Sequence, residues 1–74
     1  MNEAYQPISC VNHERLELAV LKKQWLDIEI KSGKHPDRRR LLPLDVYARE
    51  GTEWLEAQTE TGEKLVLRLD HLRF

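Results

Sequence analysis

The sequence predicts an α+β, mostly β fold: an N-terminal helix followed by a small, strongly bent antiparallel sheet or barrel. Three observations lead there. Near the front, Leu16, Ala19 and Val20 repeat at the i, i+3, i+4 spacing of a helix with one stripe facing a core. Later, "LDIEIK" (26–31) and "KLVLRLD" (64–70) alternate apolar and polar residues with the period of two expected of strands buried on one face. The strand-like segments are short and closely spaced, and rolling such a sheet up removes its edges.

Each element has its own local reason. Pro7 biases Gln6 toward an extended shape, Asn12 is a good N-cap, and Glu14 then falls in the positive first turn of a helix over about 11–23. Lys22 and Lys23 suit its negative end. Leu26, Ile28 and Ile30 form the inner face of a first strand, after which "KSGK" turns the chain. The middle is the least regular part. Pro36 and Pro43 are expected to interrupt any long central strand, so "LLPLDVY" reads as a bent edge strand or two short ones. Beyond Gly51, "TEWLEAQT" and "EKLVLRLD" joined at "ETGE" form a β-hairpin, and "HLRF" closes the chain with Leu72 and Phe74 on one side.

Size and charge bound the function. With 74 residues there is material for one core, so a single domain over 1–74 is expected: an extended segment 1–10, the helix at about 11–23 and the sheet or barrel over about 24–74. One cysteine, Cys10, leaves no intramolecular disulfide, and the first ten residues lack the basic and apolar blocks of a secretory leader. A cytoplasmic location without membrane contact is expected. The net charge of -1 conceals patches: 49–63 carries five glutamates against Arg49, whereas Arg38, Arg39 and Arg40 stand together behind Asp37.

Candidate chemistry is sparse. No phosphate loop, zinc-protease helix or nucleophile elbow occurs, so no enzyme is expected. His13, Glu14 and Glu17 gather away from the apolar helix stripe. An acid/base pair, a capping arrangement, a solvated surface and a contact face for something cationic are all compatible with that pattern. Cys10 and His13 have a metal-like gap, but His35 and His71 are isolated and no second cysteine completes a set, so no metal or cofactor is expected and Cys10 reads as a small buried apolar residue. Trp25 and Trp54 fit core or sheet packing, with base stacking as the other reading. The Arg38–Arg40 run could bind phosphates, which makes an RNA-binding module the alternative function. A Glu-rich adaptor surface over 50–63 is a third.

Four stretches in order, "YQPISC", "ERLELA", "LDIEIKSG" and "LRLDHL", make the chain resemble the Rho-binding antiterminator family, Rof-like inhibitors of the bacterial transcription termination factor Rho. The match runs from residue 5 to about residue 33 and from about residue 44 to residue 72. The resemblance implies an Sm-like fold and a function without catalysis: binding the N-terminal RNA-binding domain of Rho, obstructing its primary RNA site and competing with RNA rather than binding it. It places His13, Glu14 and Glu17 on the face toward Rho, and Arg49 and Glu50 in a second contact loop. A monomer when free is expected. The chain departs from the family pattern in Arg15, in the Lys22–Lys23 pair and in "HPDRRRLLP", which is longer and more basic than the usual connection.

Overall fold

In a computed structural model the described residues are 6–31 and 36–73. Expectations placed on Tyr5, on Ser32, Gly33 and Lys34 of the "KSGK" turn, on His35 and on Phe74 lie outside them. Helix α1 spans Cys10–Lys22, followed by β1 (Leu26–Ile30), β2 (Asp37–Arg49), β3 (Thr52–Thr59), β4 (Lys64–Arg68), a single 3₁₀ turn (Leu69–His71) and β5 (Leu72–Arg73). An N-terminal helix ahead of an antiparallel sheet is the architecture expected from the sequence.

Capping sets the helix start, and it differs from the expected one. Ser9, in extended conformation, accepts the Asn12 backbone N–H on Oγ at 3.2 Å. Asn12 is therefore the capped donor and not the cap, because a hydroxyl one turn earlier already satisfies the first free amides. The helix begins at Cys10, and Glu14 lies just past its first turn, where the end charge is weaker. At the other end Lys22 sits in the last turn as expected, and Lys23 closes the helix in a left-handed conformation (φ 53°).

The strands are ordered β4-β3-β2-β1-β5, every neighbour antiparallel. The prolines do not break the middle strand: β2 runs for 13 residues and is the pivot of the sheet. Residues 37–41 pair with β1 and residues 41–49 with β3, so Leu41 alone faces both Leu26 and Thr59. Pro43 lies where β1 has been left behind and where the β3 register shifts between Pro43 and Asp45. A residue without an N–H is tolerated there because the strand has one ladder partner and a bulge.

Curvature follows from the connection between the outer strands. In a flat sheet β4 and β5 would stand about 19 Å apart, four spacings of about 4.8 Å. Arg68 to Leu72 spans at most about 14 Å fully extended, and the 3₁₀ turn shortens it further. The sheet must therefore bend, although no ladder joins β4 to β5 among the described residues.

Inside the bend, Leu16 of α1 packs with Ile28, Leu41, Leu55, Ala57, Leu69 and Leu72, each one buried. Ile8, Leu26, Ile30, Val46, Leu65 and Leu67 pack around them. Full burial of each leucine side chain contributes about 1.5–3 kcal/mol against the entropy cost of ordering the chain. Helix α1 closes this core from one side of the sheet, and that fixes which helical residues are left to meet a partner.

Candidate functional site

Helix α1 turns Leu16 and Ala19 inward, and at about 100° per residue Glu14 then points almost directly away from the core. Glu14 is exposed and forms no ion pair among the described residues. Glu17 is also exposed, but its Oε1 lies 2.8 Å from His13 Nδ1. The sequence reading grouped His13 with both glutamates on one face. All three line one cavity in the structure, and the His13 ring also turns toward the sheet, where Nε2 reaches Glu53 Oε2 at 2.7 Å.

A neutral imidazole has one N–H and so can donate to only one of these carboxylates. Burial pulls the His13 pKa down, but the hydrogen bonds and charges of Glu17 and Glu53 outweigh it and raise it above its ordinary value. His13 is thus placed to link two carboxylates on different elements, and protonation lets it donate to both. Glu53 was missed because five glutamates in 49–63 look alike until the strand register is known. Its side chain belongs to the same alternation as buried Leu55 and Ala57, which puts it on the helix side of β3.

The second expected contact, Arg49 and Glu50, forms the β2–β3 turn. Arg49 pairs with Thr52, leaving a two-residue connection of Glu50 (φ 53°) and Gly51 (φ 76°), the positive-φ pair that suits a twisted hairpin. Both Arg49 and Glu50 are exposed and line a cleft of about 640 Å³ with Tyr47, Trp54, Val66 and Arg68. Trp54 stands across from Tyr47 on one side and Arg68 on the other. It packs on the outer face of the sheet, away from α1. The cleft beside the turn therefore lies on the face of the sheet opposite to the helix.

Strand alternation also divides the basic run. Arg38 and Arg40 stand opposite Glu29 and Asp27 on one face, whereas Arg39 stands opposite Ile28 on the other. Arg39 Nε donates to Asp37 Oδ2 at 2.7 Å. The three neighbours thus alternate along the strand, and all three still line one shallow groove of about 320 Å³ with Thr59, Glu60 and Thr61. Cys10 is exposed rather than buried, because it opens α1 on the side away from the core. Among the described residues there is no group of three or more His, Cys, Asp or Glu side chains arranged to hold a metal, and no helix long and apolar enough to cross a membrane.

No family model matches the chain. Over 72 residues, 97% of this chain and 81% of the relative, it is 35% identical to Protein rof of Escherichia coli (strain K12), and equally so to Protein rof of Shigella flexneri.

Proposed function

Because this chain belongs to the family of Protein rof, we propose that it is a non-catalytic cytoplasmic inhibitor of transcription termination factor Rho, with an Sm-like sheet. It binds the N-terminal RNA-binding domain of Rho, covers the primary RNA site and so antagonises Rho-dependent termination. The observation that carries this reading is Glu14, exposed on the outermost line of α1 beside exposed Glu17. A site that attracts phosphates through lysine and arginine also attracts carboxylates mounted on a rigid helix. Glu14 and Glu17 make the contact, His13 borders it and holds Glu17, and Arg49 with Glu50 adds a second contact at the turn.

A displacement titration tests the proposal. Purified chain is added to Rho carrying labelled pyrimidine-rich RNA, and release of the RNA at saturation is expected. RNA that stays bound at saturating chain would overturn competition. Each arginine of the RNA-binding alternative stands beside a carboxylate, Arg38 and Arg40 across from Glu29 and Asp27 and Arg39 bonded to Asp37, and Glu60 edges the groove they line; the isolated chain is expected not to retard RNA at low salt.

A further inference from the structure

We infer that the exposed side of α1 is an apolar ridge as well as an acidic one, and that it docks on a protein surface whose apolar patch is bordered by lysine or arginine. The inference rests on the proposed binding to Rho and deepens it by giving the partner's chemistry. Val11, Leu18 and Leu21 are 68%, 50% and 78% exposed. Residues 11, 14, 18 and 21 stand at i, i+3, i+7 and i+10, a single strip along the helix, on the side opposite buried Leu16 and Ala19. The helix is therefore apolar on two sides, and folding uses only one of them. Three large apolar side chains left in water on one strip mark a contact surface rather than isolated exposure.

The ridge has relief on one margin. Leu18 and Leu21 form a notch of about 250 Å³ with Glu14 and Glu17. Leu21 and Glu17 share a second, of about 170 Å³, with Val20, Asp45 and Val46. Both seats are walled by apolar carbon and edged by carboxylates, while Arg15 and Lys22 lie along the other margin. A side chain that fills either notch thus enters an apolar pocket under negative potential. That suits an aliphatic or aromatic group next to lysine or arginine, and it repels a phosphate backbone. Apolar burial and charge then contribute separately: burial is indifferent to salt, whereas exposed charge pairs are screened.

The test measures Rho binding by the intact chain at low and high salt for the wild type, L18A/L21A, E14Q/E17Q and K64A. Lys64 is exposed at the start of β4, away from both proposed contacts, and serves as the control for truncation of a surface side chain as such. Circular dichroism checks that every variant keeps its helix. L18A/L21A is expected to lose about tenfold in affinity or more at both salt levels, E14Q/E17Q to lose most of its affinity at low salt, and K64A to bind as the wild type. Wild-type affinity in L18A/L21A overturns the ridge and leaves the proposed function standing. Failure of the wild type to bind Rho overturns the proposed function and this partner with it. Wild-type chain that sediments as a dimer, and L18A/L21A as a monomer, shows that the ridge is covered by a second copy and also overturns the inference.

Discussion

The imidazole of His13 stands between Glu17, 2.8 Å away on its own helix, and Glu53, 2.7 Å away on β3. Two carboxylate contacts require both ring N–H groups, so the arrangement holds only in the imidazolium form. Glu14 and Cys10 line the same cavity. The folded pKa is raised above the ordinary value. The stabilisation is therefore complete below about pH 6.5, the unfolded value, and is lost as pH rises through the higher folded value. The thermal midpoint is expected to fall across that window, and His13→Gln is expected to flatten the fall. An NMR titration of the His13 ring with a midpoint at or below about 6.5 would show that the link does not form.

Asp70 is expected to act in the opposite pH range. Its side chain is 2% exposed and accepts Arg68 Nη2 at 2.7 Å, Arg68 Nε at 3.1 Å and the Gln6 backbone N–H at 3.0 Å. Burial pushes its pKa up, but these bonds and the nearby Arg68 and His71 charges pull it below the ordinary carboxylate value. Its contribution is present above about pH 3.9 and disappears as pH falls through the lower folded value. Asp70→Asn removes the charge from a bonded, buried position, and urea denaturation at neutral pH is expected to show a loss of about 2 kcal/mol. A variant as stable as the wild type would mean that these bonds merely replace equivalent ones to water.

The elements that signalled themselves in the sequence are those whose periodicity is local. The alternation of Leu65, Leu67 and Leu69, and of Leu26, Ile28 and Ile30, fixes the inner face of β4 and β1 without any knowledge of partners. Strand β2 was illegible because its prolines are tolerated for a non-local reason: β1 stops pairing at Leu41. The helix start was misplaced by the competition of two capping residues, Ser9 and Asn12, within four positions. Glu14 and Glu17 were legible as a candidate site since helical spacing alone exposes them. Glu53 and the Leu18–Leu21 ridge were not: the first needs a strand register, and the second is hidden when attention stays on the one apolar stripe that folding requires.

Charge reversal on β2 separates the arginines by face. Arg38→Glu and Arg40→Glu place like charges directly across from Glu29 and Asp27. Each is expected to lower stability by up to about 1 kcal/mol in chemical denaturation. Arg39 has no acidic residue across the ladder, its bond being to Asp37 on its own strand. Arg39→Ala is therefore expected to cost less than either reversal, since an exposed ion pair contributes under about 1 kcal/mol. Equal losses at 38, 39 and 40 would contradict the alternation.

Glu14 gives the cleanest test of the helix in the proposed complex with Rho. Reversing both Glu14 and Glu17 to Lys is expected to weaken binding by about 1–3 kcal/mol per desolvated contact, whereas contacts at the rim would chiefly slow association. The double variant, however, also removes the carboxylate that His13 holds at 2.8 Å, so part of its effect comes from a loosened link between α1 and β3. Glu14→Lys alone avoids this, because Glu14 forms no ion pair among the described residues that folding would miss. Its thermal midpoint is expected to match the wild type while its affinity for Rho falls. Full affinity in both the single and the double variant, measured by calorimetry on folded protein, would remove α1 from the interface and leave the Arg49–Glu50 turn as the contact to pursue.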